Sequence, residues 1–308
     1  MEKFKMRIIN WCALTTFVLL SLTSYALNGW TTLSSNLLPA GYNGVSYGNG
    51  QYVVVGNSGL VRTSPDFTTW TNQTSGTTHA LNGVVYADSS TYIAVGNAGT
   101  LVTSNDGVTW TAQNSGVTSA LLSVTYGNSV YVAVGDAGVI LTSTDGTTWT
   151  AQTSGVPNSL HNVSYGNDQF VAVGDVGTVL TSSDGTTWTK QTTDVVDALN
   201  GVAYGNGRYV AVGNMGAIIT STDSVTWART ENASGTKRLN GLVYGDGVYI
   251  AVGENGTLVG SYDGLNWLAL PPEVPYSLNN IIFGNGEYVA VGDGGAVLTH
   301  RDGQPPHQ

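Results

Sequence analysis

Cysteine is almost absent from this chain, because the single residue, Cys12, lies inside an N-terminal apolar segment. If that segment is removed, disulfides, thiolate metal sites and a cysteine nucleophile are all excluded. Charged residues are also scarce, at 10% of the chain, compared with about a quarter in ordinary soluble domains. No segment has a sustained apolar period of 3.6 residues. The sequence therefore lacks the pattern of a helical protein.

Basic residues are too few and too scattered to form a surface for nucleic acid or an anionic membrane.

Residues 1–26 resemble a secretory signal peptide: a basic start, an apolar run from about Ile8 to Leu22, and the cleavage signal Ser24-Tyr25-Ala26. A membrane anchor is the alternative, but the run is shorter than the roughly 20 residues that span a bilayer. Cleavage removes three of ten basic and one of twenty acidic residues, which changes the net charge from −10 to −12. We predict a secreted or periplasmic protein.

A repeat of about 40 residues dominates the sequence. An aromatic residue recurs at intervals of 39 or 40 residues, at Tyr47, Tyr86, Tyr126, Tyr165, Tyr204, Tyr244 and Phe283. Each unit contains four strand-like runs, which in the second unit are about Leu81–Tyr86, Tyr92–Val95, Thr100–Ser104 and Thr109–Gln113. The second run is apolar on both faces, as expected of a strand packed between two sheets. Four such strands per unit are typical of a β-propeller blade.

The N-terminal tryptophan supplies the strand that the last repeat lacks. The unit that begins at Leu278 stops after Asp302-Gly303, without a fourth strand or a tryptophan. Trp30 precedes Tyr47 by 17 residues, and every other repeat tryptophan precedes the next aromatic residue by 16 or 17. Residues near Asn28–Leu33 should therefore complete the seventh blade, which removes an exposed sheet edge.

The predicted fold class is all-β: a seven-bladed propeller of four-stranded antiparallel blades, closed by the N-terminal strand. The expected organisation is a signal peptide at 1–26, the propeller at 27–303 and a C-terminal tail at 304–308. We expect a monomer. We also expect no cofactor, because no His, Asp or Glu grouping has metal-ligand spacing and no glycine-rich phosphate loop precedes a helix.

The turn before each repeat tryptophan resembles the Asp-box, or BNR, repeat, with SNDGVTW at 104–110, STDGTTW at 143–149, SSDGTTW at 182–188, STDSVTW at 221–227 and SYDGLNW at 261–267. The resemblance covers nearly all of 28–303 and looks closest to photosystem II assembly factor-like propellers, and more distantly to sialidases and xyloglucanases. It implies an architectural role for each aspartate, since Asp at the start of a tight turn accepts hydrogen bonds from the turn's own amides. These residues are Asp66, Asp106, Asp145, Asp184, Asp223, Asp263 and Asp302.

The arginines do not favour sialidase chemistry, which needs three of them converging on a substrate carboxylate. Arg208 falls in a turn between first and second strands, Arg229 in an outer strand and Arg238 in a blade-linking loop. They do not converge, so we predict no sialidase activity. Arg62 replaces an apolar residue of the other repeats, and a charge there must be paired or reach water. We expect it to reach an acidic group such as Asp66; contact with a ligand is the alternative.

One face of the propeller should carry the blade-linking loops and the turns between second and third strands. Three consecutive linkers depart from the repeat, and binding residues favour such loops on a rigid scaffold; neutral drift explains the departures equally well. The candidate binding residues are Tyr42, Asp194, Asp197, Glu231, Lys237, Arg238, Glu254, Glu273 and Tyr276. Tyr42 and Tyr276 should offer apolar contact area there.

A polar ring is predicted at the mouth of the central channel, formed by Asn43, Asn82, His161, Asn200, Asn240 and Asn279, with Leu122 as the exception. We interpret His161 as a hydrogen-bonded wall residue rather than a base or a ligand.

The leading functional hypothesis is a secreted, non-catalytic binding or assembly-scaffold propeller that engages a protein or a glycan. The alternative is a glycoside hydrolase acting on a neutral polysaccharide, which needs two carboxylates about 5 to 9.5 Å apart. Glu231, Glu254 and Glu273 are its candidates, and nothing in the sequence pairs them.

Overall fold

Seven four-stranded antiparallel sheets form a ring in the computed structural model, which describes residues 29–33, 40–87, 90–230, 234–271 and 274–301. Neighbouring innermost strands contact each other all the way round, including the first with the last. The predicted seven-bladed propeller is therefore confirmed. No helix in these described ranges is long and apolar enough to cross a membrane.

Each blade runs outward from the channel in the order of its four strands. The innermost strands are β2 (Tyr42–Gly48), β6 (Leu81–Ala87), β10 (Leu121–Gly127), β14 (Leu160–Gly166), β18 (Leu199–Gly205), β22 (Leu239–Gly245) and β26 (Leu278–Gly284). The second strands are β3 (Gln51–Gly56), β7 (Thr91–Gly96), β11 (Val130–Gly135), β15 (Gln169–Gly174), β19 (Arg208–Gly213), β23 (Val248–Gly253) and β27 (Glu287–Gly292).

The third strands are β4 (Leu60–Ser64), β8 (Leu101–Ser104), β12 (Ile140–Ser143), β16 (Val179–Ser182), β20 (Ile218–Ser221), β24 (Leu258–Ser261) and β28 (Val297–His300). The outer strands are β5 (Thr71–Thr74), β9 (Thr111–Ala112), β13 (Thr150–Gln152), β17 (Thr189–Gln191), β21 (Ala228–Arg229), β25 (Leu268–Ala269) and β1 (Thr31–Thr32). Short 3₁₀ turns join second to third strands at Asn57–Gly59, Asn97–Gly99, Asp136–Gly138, Asn214–Gly216, Glu254–Gly256 and Asp293–Gly295.

The N-terminal strand closes the ring as predicted. In β1, Thr31 pairs with Thr299 and Thr32 with Leu298 of β28, and the Leu33 amide donates to the Val297 carbonyl at 3.0 Å. Trp30 is 8% exposed and its ring stacks on His300 with centroids 5.4 Å apart. Head and tail of the described chain thus share one sheet, and no third strand of the ring is left as an open edge.

The core lies between the blades, where apolar second strands are buried on both faces. Tyrosines of these strands also tie each blade to the one before it, because their hydroxyls donate to carbonyls at the ends of the preceding innermost strands. Such bonds join Tyr52 to Gly284, Tyr92 to Gly48, Tyr209 to Gly166, Tyr249 to Gly205 and Tyr288 to Gly245. Phe170 occupies this position in the fourth blade and has no hydroxyl to donate.

The outer strands are shorter than the sequence predicted. The run expected over Thr109–Gln113 is β9, two residues long. The reason lies in the preceding turn: the Thr109 amide donates to the Asp106 carboxylate at 2.8 Å, and the Trp110 indole N–H turns back to the Gly107 carbonyl. The Thr109 amide and the Trp110 side chain are therefore held by the turn, and the only β-bridge described for Thr109 is an isolated one to Thr74 of the first blade.

Candidate binding face around the channel

The blade-linking loops and the turns between second and third strands lie at one end of the ring, and the Asp turns lie at the other. The turn between second and third strands is bonded to the linker that leads into the same blade; for example, the Asn97 amide donates to the Ala80 carbonyl and the Asp175 amide to the Ser159 carbonyl. We call this end the linker face. At the other end, which we call the Asp-turn face, the side-chain Nε2 of Gln51 donates to the Asp106 carbonyl of the next blade at 2.6 Å.

The Asp-turn face repeats one hydrogen-bonded turn. In the second blade, Asp106 Oδ1 accepts the backbone amides of Val108 and Thr109, each at 2.8 Å, and the Ser104 hydroxyl at 2.9 Å. The same contacts hold at Asp145, Asp184, Asp223 and Asp263, and Asp66 accepts the amides of Thr68 and Thr69. Asp302 lies outside the described residues.

These contacts favour the ionised carboxylates. Backbone amides of Thr226 and Val225 lower the pKa of Asp223 to about 2. At Asp263, burial raises the pKa but the amides of its own turn outweigh it, so that the pKa is lowered to about 2. Each carboxylate of the described Asp turns accepts hydrogen bonds from its own turn, as an architectural role predicts.

The central channel opens as a cavity of about 400 Å³ lined by the innermost strands. All members of the predicted polar ring line it: Asn43, Asn82, His161, Asn200, Asn240 and Asn279, together with Leu122. All five asparagines of the ring bridge neighbouring blades, because each side-chain amide donates to the first carbonyl of the next innermost strand. Their acceptors are Leu81, Leu121, Leu239, Leu278 and Tyr42, at 2.8–3.0 Å.

His161 and Leu122 interrupt this ring of bridges in adjacent blades. Leu122 has no polar atom to donate, and His161 Nε2 lies 2.8 Å from the Asp175 carboxylate of its own blade instead of bonding to the next one. The side chains of this pair are 28% and 43% exposed. The interpretation of His161 as a hydrogen-bonded wall residue agrees with this contact.

Tyr42 does not lie on the surface, and its predicted role as an exposed contact is wrong. Its relative exposure is 0%, because it fills the position that leucine holds in the other blades. Burial raises the pKa of its hydroxyl, and the charge of Arg62 opposes that shift. Tyr42 is therefore part of the packed interface between the first and seventh blades.

Arg62 explains why a tyrosine is tolerated there. Its side chain is 4% exposed; Nη1 donates to the Tyr42 hydroxyl at 2.6 Å and Nε to the Asn72 side-chain oxygen at 2.7 Å. The prediction that Arg62 reaches Asp66 is wrong, since the Asp66 carboxylate accepts the backbone amide and the hydroxyl of Thr68 in its own turn. Two departures from the repeat thus satisfy each other inside the interface that closes the ring.

The predicted linker-face residues lie in successive sectors. Asp194 is exposed, and Asp197 pairs with Arg229 at 3.7 Å. Arg238 is exposed beside Glu254, whose carboxylate lies 3.5 Å from the Arg238 amide. The remaining residues are Lys237, which is half-buried, Tyr276, which is 49% exposed, and Glu231 and Glu273, which lie outside the described residues.

Three exposed apolar residues on this face escaped the sequence reasoning. Val176, Val196 and Met215 are 64%, 79% and 56% exposed. A signal was present, because Val176 and Met215 stand where the other turns carry serine, alanine, asparagine or glycine. Both have a left-handed backbone, with φ of 55° and 54°, which a β-branched residue such as valine disfavours.

Within the described ranges, no group of three or more His, Cys, Asp or Glu side chains could hold a metal ion. What the loops present is a mixture of apolar, acidic and basic side chains on rigid turns, which suits recognition of another molecule.

Similar solved structures share the propeller fold. YCF48 bound to D1 peptide is 19% identical with a TM-score of 0.73, over 89% of this chain and 95% of that one. YCF48 from Cyanidioschyzon merolae is 17% identical with a TM-score of 0.69, over 88% and 98%. A streptogramin B lyase is 12% identical with a TM-score of 0.79, over 90% and 99%. At these identities the likeness concerns the fold alone, and it includes both a peptide-bound protein and an enzyme.

A family model described as the DUF6242 beta propeller domain matches residues 76–160 and 118–235. The two overlapping matches together extend from 76 to 235, which is more than half of the chain. No curated protein matches it.

Proposed function

The chain belongs to the DUF6242 beta propeller domain family, and on that premise we propose that it is a non-catalytic binding scaffold that engages a protein partner through its linker face. The observation that carries the proposal is the contrast between the two ends of the ring. Apart from the exposed Val108, Val225 and Leu265, the Asp-turn face repeats one hydrogen-bonded turn, whereas the linker face presents exposed charged and apolar residues that differ from blade to blade.

Partner recognition requires side chains that are not committed to the fold. One carboxylate oxygen of Asp106 and of its equivalents accepts hydrogen bonds from its own turn, but Tyr276, Asp194 and Arg238 project from linkers on the other face. The fold neighbour YCF48 was solved with a bound peptide, which supports a protein partner over a glycan for this architecture. A neutral glycan remains the second partner class to be tested.

The experiment is a binding screen of the mature protein against peptide and glycan arrays, followed by affinity measurements on linker variants. One variant replaces residues 194–198 with the Gly-Val-Thr-Ser-Ala sequence of residues 116–120, and a second combines Arg238→Ser with Tyr276→Ser. We expect peptide or protein ligands whose binding at least one of these variants weakens tenfold or more.

The matched control changes two apolar residues on the opposite face. Val108 and Val225 are 46% and 54% exposed in Asp turns, at a position where the first, third and fourth blades carry threonine and the sixth carries Leu265. Val108→Thr with Val225→Thr should leave binding unchanged. Ligands restricted to neutral glycans, or no ligand in either array, would contradict the proposal, and release of sugars from a neutral polysaccharide would favour the glycoside hydrolase instead.

We further propose that the protein acts outside the cytoplasm after removal of residues 1–26, as a monomer that contacts neither nucleic acid nor membrane. Its acidic composition supports this proposal, since the net charge is −10 with only ten basic residues in 308. Cell fractionation with N-terminal sequencing of the exported form tests it. A full-length product retained in the cytoplasm would contradict it.

A further inference from the structure

The exposed apolar residues of the linker face lie together between the fourth and fifth blades. The Gly177 amide donates to the Asp197 carbonyl at 3.0 Å, so the turn that carries Val176 rests against the linker that carries Val196. The Asn214 amide donates to the Ala198 carbonyl at 2.8 Å, which places Met215 on the other side of the same linker. We call Val176, Val196 and Met215 the apolar arc.

The apolar arc is specific to this sector. Its turn position holds Ser58, Ala98, Ala137, Asn255 and Gly294 in the other blades, and the position of Val196 holds Thr78, Thr118 and Pro157 in the first three linkers. Valine in the left-handed region lowers the stability of its turn, compared with the glycine or asparagine found elsewhere. Neither the packing of the core nor the turn chemistry requires apolar residues at these three places.

Carboxylates border the apolar arc on its fourth-blade side. Asp194 is exposed two residues before Val196, Asp197 follows it directly, and Asp175 precedes Val176. Asp197 is 26% exposed with Arg229 3.7 Å away, and Asp175 is 43% exposed beside His161. On the fifth-blade side lie two cations, the half-buried Lys237 and the exposed Arg238, and the Glu254 carboxylate lies 3.5 Å from the Arg238 amide, so the acidic border is confined to the fourth-blade side. Three carboxylates against one arginine and one histidine leave this border acidic.

We propose that the apolar arc is the contact point for a protein segment in which an apolar side chain is flanked by lysine or arginine. This inference rests on the proposed function and assigns that function to one sector of the linker face. The apolar side chain of the segment packs against Val176, Val196 and Met215, and its basic neighbours meet the bordering carboxylates, which favours such segments over acidic ones.

The test uses synthetic 12-residue peptides with a constant Leu-Phe centre flanked by lysine, by serine or by glutamate, measured by fluorescence polarisation at low and physiological salt. The patch variant combines Val176→Asn, Val196→Thr and Met215→Ala, which are residues that other blades carry at these positions. We expect lysine-flanked peptides to bind the wild-type protein best, and the patch variant to bind them at least tenfold more weakly.

Two further variants separate the contributions. Asp194→Asn should reduce the preference for lysine over serine flanks and its salt dependence, because it removes an exposed carboxylate. Val108→Thr with Val225→Thr, on the opposite face, should change nothing. Circular dichroism and thermal unfolding of each variant verify that the ring is intact.

The outcomes distinguish this inference from the proposed function. If peptides bind but the patch variant keeps its affinity, or if glutamate-flanked peptides bind best, the inference is wrong and the binding scaffold stands. If the patch variant abolishes self-association measured by sedimentation, the occupant is a second copy of the chain and the inference is also wrong. If neither these peptides nor the arrays yield a ligand, both proposals are contradicted.

Discussion

The buried pair of Arg62 and Tyr42 makes the most direct quantitative prediction. The guanidinium lies in the interface between the first and seventh blades, where it donates to the Tyr42 hydroxyl and to the Asn72 side-chain oxygen. Neither partner carries a charge that compensates the arginine. The pair should therefore be strongly coupled, since loss of either member leaves the other buried without its partner.

The perturbation is a double-mutant cycle with Tyr42→Phe and Arg62→Leu. Tyr42→Phe removes the acceptor of a charged donor, which destabilises by about 1.5–3 kcal/mol. Arg62→Leu leaves the phenolic hydroxyl without its donor, which destabilises by about 1–3 kcal/mol. The double variant restores the apolar third-strand side chain that other blades carry, as at Leu141 and Leu180. It should lie within about 1 kcal/mol of the wild type, as replacement of both partners by apolar groups usually does.

The assay is urea unfolding followed by tryptophan fluorescence, with the free energy of unfolding extrapolated at a common m-value. The expected coupling energy between the two sites, the sum of the two single effects less the effect of the double variant, is about 1.5–6 kcal/mol. Additive effects, with coupling below about 0.5 kcal/mol, would refute the reasoning, because the two groups would then be stabilised independently of each other.

Three further predictions concern single residues. Phe170→Tyr should raise the free energy of unfolding by about 1 kcal/mol, through a new bond to the Gly127 carbonyl; an unchanged or lower melting temperature would contradict this. The pKa of Asp263 is lowered to about 2, below its unfolded value of about 3.9; its contribution is complete above that value and is lost as the pH falls towards 2. Asp263→Asn should therefore lose less stability than the wild type in acid titration from about pH 5 to 2, and equal slopes would argue against the turn contacts. Trp110→Phe should lower the free energy of unfolding by about 1 kcal/mol more than Trp30→Phe does. The reason is that the Trp110 indole N–H donates to its turn, whereas Trp30 Nε1 has no hydrogen-bond partner among the described residues. Equal melting temperatures of the two variants would count against this difference.

The blade number and the closure were predictable because both depend on spacing along the chain. A tryptophan that keeps the interval to the next aromatic residue identifies Trp30 as part of the last blade, whatever its distance in sequence. The polar ring around the channel followed from the same periodicity, since each asparagine occupies the second position of an innermost strand.

The predictions of surface exposure were wrong or incomplete at positions where packing against a neighbouring blade determines whether a side chain is buried. Tyr42 was predicted to offer apolar contact area on the linker face, but it is completely buried and packs against the seventh blade. The exposure of Val176 and Val196 depends on how a turn and a linker pack against each other, which no local pattern encodes. Repeat comparison could have found Val176 and Met215, since both replace the small or polar residues of their turn.

The pairing of β1 with β28 sets an order on assembly during synthesis. Six blades consist of consecutive residues, so each can form as soon as it leaves the ribosome. The seventh blade cannot form in this way, because Thr31 pairs with Thr299, which is synthesised near the end of the chain. Nascent domains fold from the N-terminus onward. The earliest-made strand is thus the last to find its place, and a polypeptide interrupted before residue 297 would have six finished sheets and no means of joining its two ends.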